Sequence, residues 1–303
     1  MSTLNTCTSS TRPGSPSQGD MLYETDSYKT IIYDGSAWQE YVSASSPYDL
    51  DGTNSLSVRP DAHWDAAKVN GTDSSGNPSD GATMVDWVSL IGDYKFLAHS
   101  TTATMPTWQD GSSTPTGSLL APWGDELPFV YLTVDSMALS NSLCSATGQE
   151  FTIWSVGYKQ SSSSTYGPIG VMDDSTSGHF NHTNGWDYLA YNAGSGTKNA
   201  AAPSGFPITS EAQTWMQERD SSSVHRMHHH GDNTGNAAPT WDSPQAFHNL
   251  GWSKQSTNQF ASNKAGVYEI MIFPRNALST ADKNALGAYA DSKYSFTTST
   301  TDF

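Results

Sequence analysis

Residues 266–294, reading GVYEIMIFPRNALSTADKNALGAYADSKY, constrain the fold of this chain more than any other stretch. From Val267 to Phe273 both alternating sets of residues are β-branched, aromatic or long and apolar, interrupted only by Glu269. Such a run is expected of a strand buried inside a sandwich. Pro274 stops the ladder. Ser279 and Asp282 then stand at capping-box spacing, and Leu286, Tyr289, Ala290 and Lys293 recur with the helical period, while Ala281 and Ala285 are small enough for close packing. The pattern predicts one inner strand followed by one short helix that lies against the sandwich and closes it.

The remaining strand signals agree with an all-β domain. Strand-like runs occur at Tyr94–Ala98, Phe129–Val134, Phe151–Tyr158, Gly167–Met172, Trp186–Tyr191, Val224–His229 and Phe247–Trp252, separated by turns rich in Gly and Ser. Many short strands of this kind imply an antiparallel sandwich. Glu211–Arg219 reads as one or two helical turns, and no internal repeat is visible.

The strand and helix 267–295 resemble the last strand and closing helix of the concanavalin A-like (laminin G-like) jelly-roll family. Asp80-Gly81, Val85, Trp87 and Gly92 are similar to that family's early signature, although Ser89 stands where an Asp is often found. Residues 126–139, with 151–158 after them, are similar to its paired inner strands. The resemblance covers residues 48–295 and implies an all-β concanavalin A-like antiparallel jelly roll with a short closing helix. It speaks to fold more than to ligand.

Residues 1–47 are different text. Pro13, Pro16 and Gly19-Asp20 precede strands expected at Met21–Glu24, Lys29–Tyr33 and Ala37–Val42, joined by Asp26-Ser27 and Asp34-Gly35-Ser36. This is a small β meander, separated from residues 48–303 by the small-residue linker 43–47. Its apolar set, with Met21, Tyr23, Ile31, Tyr33 and Trp38 as candidate anchoring residues, is too small to sustain a unit below about 40 residues alone. The run RP-x-SP-x-x-GD, then ET, then YDGSAW, resembles a module of tailed-bacteriophage structural proteins, of fibre or capsid-decoration type. That resemblance implies virion anchoring and a homo-oligomer, as a trimer, with other virion proteins as partners through this module.

Charge narrows the partners further. The 303 residues carry a formal net charge of -16 with only 15% charged residues, a surface that repels phosphate backbones, so no nucleic-acid partner is expected. No apolar run approaches a membrane span, and the opening MSTLNTCTSS has neither a basic n-region nor an apolar h-region, so synthesis in the host cytoplasm and no membrane partner are expected. Cys7 and Cys144 have no framework or metal spacing, and neither is expected in a disulfide.

Glycoside hydrolases of the jelly-roll family carry Glu-x-Asp-x-x-Glu, which sets two carboxylates about 5 Å apart across the scissile bond. The nearest match here, Glu24-Thr25-Asp26-Ser27-Tyr28-Lys29, ends in Lys and lies in the meander, while Glu126, Glu150 and Glu269 stand alone in their strands. The expectation is therefore of a protein that is not an enzyme and needs no cofactor. Asn181, Asn184, Trp186, Asp187 and Tyr188 form a candidate glycan-binding set, in which Trp186 and Tyr188 fall on one face of an extended strand and Asp187 on the other. The bland alternative is that these aromatics are core. His228 and His230, joined by Asp232 if extension persists past Gly231, are candidate metal ligands; otherwise they are polar strand residues ending in a turn. The reading as a whole is a virion structural protein on the particle exterior, as capsid decoration, head fibre or tail fibre, engaging host surface glycan. Its rivals are a polysaccharide hydrolase or lyase of the same fold and a free glycan-binding adhesin.

Overall fold

The computed structural model describes residues 5–25, 29–40, 47–69, 76–98, 105–112, 127–132, 137–143, 150–159, 169–172, 179–183, 187–192, 196–200, 213–222, 225–229, 232–238, 247–250, 254–255, 258–259, 265–275 and 277–295. The chain divides into two compact units, Met1–Tyr48 and Asp49–Phe303.

The first unit is a four-stranded sheet of β1 (Asn5–Cys7), β2 (Met21–Glu24), β3 (Lys29–Tyr33) and β4 (Trp38–Glu40), in that order. The β1 strand, which no sequence pattern announces, pairs parallel to β2, and the other pairs are antiparallel. Asp34 builds the turn into β4. Its Oδ1 accepts from the backbone N–H groups of Ser36 and Ala37, each at 2.8 Å, and the Ala37 bond leads in holding its carboxyl below the usual range. Of the candidate anchoring residues, Ile31 is buried with Leu22, whereas Met21, Tyr23, Tyr33 and Trp38 are half-buried. Tyr33 and Trp38 pack ring to ring at 5.5 Å. Glu24 is buried too, and the Arg12 guanidinium pairs with it.

The second unit continues with β5 (Tyr48–Asp49), β6 (Ser55–Leu56), β7 (Ala62–Asp65), β8 (Asp86–Val88), β9 (Lys95–Ala98), β10 (Thr107–Gln109), β11 (Phe129–Leu132) and β12 (Met137–Leu143). It then forms β13 (Phe151–Lys159), β14 (Ile169–Met172), β15 (His179–Thr183), β16 (Asp187–Asn192), β17 (Gly196–Ala200), β18 (Gln213–Arg219), β19 (His225–His229) and β20 (Asp232–Ala238). The last elements are β21 (Phe247–Leu250), β22 (Lys254–Gln255), β23 (Asn258–Gln259), β24 (Ala265–Phe273) and α1 (Thr280–Tyr294). One eight-stranded sheet runs β10-β11-β24-β13-β18-β19-β20, with β7 also paired to β24. The other runs β17-β16-β15-β14-β21-β12-β9-β8. All pairings described in the two sheets are antiparallel, so the unit is an all-β jelly-roll sandwich with one closing helix.

The core between the sheets draws Trp64, Trp108, Val130, Phe151, Ile153, Val267, Ile270 and Ile272 from the first sheet. Trp87, Phe96, Met137, Leu139 and Leu250 come from the second. Trp64 and Phe96 pack across with tilted rings 4.5 Å apart, and the Trp64 indole N–H donates to the Trp87 carbonyl at 3.0 Å. Ser89 adds a polar hook, accepting the His63 N–H at 2.9 Å with its hydroxyl. Gly92 has φ +67, and a Cβ there would meet the Asp61 carbonyl at 2.9 Å, so the signature glycine is required by both conformation and space. Residues 81–84 bond to the edge strand β10, through Gly81 N–H to the Trp108 carbonyl and Met84 N–H to the Pro106 carbonyl, before β8 joins the other sheet. The crossing covers one free edge of the sandwich.

Residues 213–219 correct the sequence reading, because they form a strand and no helix. β18 pairs with β13 over seven positions, from Phe151 with Arg219 to Gly157 with Gln213, and β19 takes its other edge. Thr214, Met216 and Glu218 are buried at alternate positions, and tertiary pairing overrides the helix propensity of Met, Gln and Glu.

Helix α1 starts as its sequence predicts. Ser279 is the N-cap and its hydroxyl accepts from Asp282 N–H at 3.1 Å. The Asp282 carboxylate accepts the Ser279 hydroxyl at 2.5 Å, and it also accepts the Ser57 N–H at 2.6 Å and hydroxyl at 2.8 Å. Leu286, Tyr289, Ala290 and Tyr294 form the buried stripe. Ser279→Ala is expected to cost about 1 kcal/mol in urea unfolding. Asp282→Ala should cost more, about 1–3 kcal/mol, because it also strips the charge-assisted bonds to Ser57. Equal losses would show that the Ser57 contact contributes nothing.

Candidate functional sites

The most developed polar cluster is centred on Glu269, at 0% exposure. Strict alternation from Val267 would send Glu269 into the apolar core between the sheets. Instead the β13–β24 register shifts, Val156 facing Glu269 and Gly157 facing Val267, so Tyr268 is an extra residue. The bulge reverses the phase, and Glu269 faces α1 while Ile270 and Ile272 return to the core.

Every donor around Glu269 has a defined source. From β7, His63 Nε2 lies 2.5 Å from Oε1, and since a carboxylate only accepts, that nitrogen carries the proton. From α1, Tyr289 Oη donates at 2.8 Å to Oε1 and 3.0 Å to Oε2, while Tyr294 Oη donates at 2.6 Å to Oε2. Lys293 Nζ uses all three protons, to Glu269 Oε2, Asp65 Oδ2 and Tyr289 Oη, each at 2.9 Å. The other Asp65 oxygen caps the short helical turn Ala66–Lys68 through Ala67 N–H at 2.9 Å.

Burial alone would raise the Glu269 carboxyl. The charge of Lys293, with the hydrogen bond and charge of His63, outweighs burial and holds it well below the usual carboxylate range. Burial would lower Lys293, but the Glu269 and Asp65 charges raise it. Burial, then the Glu269 charge, pushes the Tyr294 phenol up, so it remains a donor. Enclosure of the carboxylate makes this cluster a clasp that fastens α1 to the sheet. The lone carboxylate of this strand is thus hydrogen-bonded and unsolvated. A second ion pair, Lys283 to Glu218 at 2.6 Å, fastens the start of the same helix to β18.

The candidate glycan set lies on the β15–β16 hairpin. Asn181 is in β15, and Asp187 and Tyr188 are in β16, with register Asn181–Leu189, His182–Tyr188 and Thr183–Asp187. Asn181 and Asp187 therefore occupy rows of one alternating set and Tyr188 a row of the other. Asn184 and Trp186 lie outside the described residues.

The candidate metal set falls on two paired strands. His228 is in β19 opposite Met216, and Asp232 opens β20, antiparallel to β19 and opposite His229, so Asp232 does not continue the strand of His228. His230 lies outside the described residues. Among the described residues no group of three His, Cys, Asp or Glu could hold a metal ion. Glu126 and Cys144 also lie outside the described residues.

No known family description and no curated protein matches the chain. Among solved structures it is similar to a Trypanosoma rangeli sialidase in complex with 2,3-difluoro-KDN, with TM-score 0.45 and 9% identity over 91% of this chain and 45% of that one. It is similar to a mutant of that sialidase displaying trans-sialidase activity, with TM-score 0.42 and 7% identity over 76% and 32%. A third is the ligand binding domain of botulinum neurotoxin serotype D in complex with N-acetylneuraminic acid, with TM-score 0.40 and 11% identity over 61% and 46%. The chain spans less than half the length of each. The likeness is one of β architecture and carries no residue, substrate or partner to this chain. Sialidases are enzymes, and their recurrence among these structures overturns the expectation of a non-enzyme, which is withdrawn.

The clasp predicts the pH dependence of stability. The Glu269 carboxyl is lower folded than unfolded, so its contribution is fully present above the ordinary value of about 4.3 and is lost as pH falls below it. The Lys293 ammonium is raised, so its contribution is present below about 10.4 and is lost as pH rises through its folded value. Glu269→Gln should cost about 3–5 kcal/mol at pH 7, because the cationic partner is left buried, and should flatten the acid limb. Urea unfolding at pH 7 and pH 3 reads both effects. An acid limb of unchanged slope in the variant would assign it to another group.

Proposed function

We propose that this chain is a structural component of a tailed-bacteriophage virion, exposed on the particle as a fibre or capsid decoration. Residues 1–47 dock it and join its copies, as a trimer by resemblance, and the jelly roll presents its hairpins to host surface glycan. The observation that carries this reading is the construction of the first unit. Its buried apolar side chains among the described residues are Leu22 and Ile31, while Met21, Tyr23, Ile32, Tyr33 and Trp38 remain half-buried. A sheet with so small a core gains its stability from a partner surface. The YDGSAW run at residues 33–38 supports a virion as the source of that partner, and the Asn and Asp residues of β15 and β16 support a hydroxyl-rich ligand.

A chain beginning at Tyr48 is expected to stay folded on the sandwich core, to lose self-association and to leave purified particles. Sedimentation velocity and immunogold labelling of particles measure the two losses. A truncated chain that still sediments as a stable trimer would move the contact into the jelly roll, and absence of label on intact particles would overturn the virion reading. A panel of host polysaccharides, assayed for retention and for released sugar, separates binding from turnover.

A further inference from the structure

The register of the first sheet sorts its residues by charge. Asn5, Leu22, Ile31 and Glu40 form one row, Cys7, Glu24 and Lys29 a second, and Tyr33 and Trp38 a third, all in one alternating set. The described side chains of this set include the buried Leu22, Glu24 and Ile31, and Arg12 reaches over to Glu24. The other set has the rows Thr6, Tyr23, Thr30 and Met21, Ile32, Gln39. Every charged residue of the four strands falls in the first set and none in the second. In the second set Met21, Tyr23, Thr30 and Ile32 are half-buried, and Thr6 and Gln39 are exposed.

We infer that the uncharged face formed by Met21, Tyr23 and Ile32, bordered by Thr6, Thr30 and Gln39, is the surface through which one copy of this chain meets another. Electrostatics selects the occupant. With a net charge of -16, two copies repel over most of their surface, and an uncharged apolar face is where they meet without placing like charges in contact. A cationic partner would instead be matched by acidic residues, which this face lacks. The neutral border lets copies of this face pack about a shared three-fold axis without like charges across the contact. The inference rests on the proposed role of residues 1–47 in self-association and names the face responsible.

The test uses the full chain and changes only border positions, leaving the apolar residues in place. Thr30→Glu with Gln39→Glu, and separately Thr30→Lys with Gln39→Lys, are compared with the unaltered chain by sedimentation velocity. Each doubly charged variant should self-associate at least about tenfold more weakly, and 1 M salt, where screening acts within about 3 Å, should restore part of the loss. Mixing the Glu and Lys variants should restore association at low salt, which misfolded chains cannot do. Unchanged association of either variant overturns the inference, as does loss without rescue on mixing. An unaltered chain that is monomeric, with both variants lowered in Tm, would assign the face to the same chain's second unit and also overturn it. Particle labelling is scored separately. A labelled particle with variants that associate normally leaves the virion reading standing and removes this face from it.

Discussion

A carboxylate buried at 0% exposure is tolerable only where cationic and hydrogen-bonding partners replace its hydration, and Glu269 is the residue on which that requirement falls. Its donors come from β7 and from the last turns of α1, so the condition for burying the charge is also the condition for docking the helix. Lys293 has no spare proton, Tyr289 both donates and accepts, and Asp65 shares the cation while capping its own turn. Such a network is cooperative, because losing one member leaves several others unsatisfied. Around it lies a second apolar layer, outside the core between the sheets. Phe129 lies 5.4 Å from Tyr268, Tyr268 lies 5.9 Å from Tyr294, and Trp154 lies 6.0 Å from Tyr289. The helix is thus held by packing and oriented by charge.

The central position of β24 follows from the same arrangement. It pairs with β13 along its length on one side, while β11 takes the first part of its other edge and β7 the second. Its backbone is enclosed on both edges, one of its faces packs against the opposing sheet and the other against α1. This is why its residues are apolar in both alternating sets. The first unit is the opposite case. Its sheet offers few residues for burial, and its two alternating sets differ in charge.

Several features are legible in the residues alone. The apolar run 267–273 and the Ser279 cap are local signals, and local geometry is enough to realise them. The Asp34-Gly35-Ser36 turn is another, because the Asp34 side chain bonds to the backbone two and three residues on. Glu211–Arg219 reads as helical because its residue types favour a helix in isolation, and the pairing of 213–219 with two neighbouring strands decides otherwise. The His-rich segment is a related case. A strand running on to Asp232 and a strand that ends before it are both compatible with the same residues, and the antiparallel pairing of β19 with β20 decides between them.

For Glu269 the sequence by itself determined that a single carboxylate would interrupt an apolar strand, and that a capped helix with Tyr289 and Lys293 on one stripe would follow. It did not determine on which face the carboxylate would lie. A β strand has a period of two, so one inserted residue reverses the facing of everything beyond it, and the bulge at Tyr268 exists only through the register of β24 against β13. His63 and Asp65, some two hundred residues earlier, carry no local mark of their role. Only the tertiary structure brings them to Glu269, because β7 pairs with the far half of β24 and lays alternate residues against the helix.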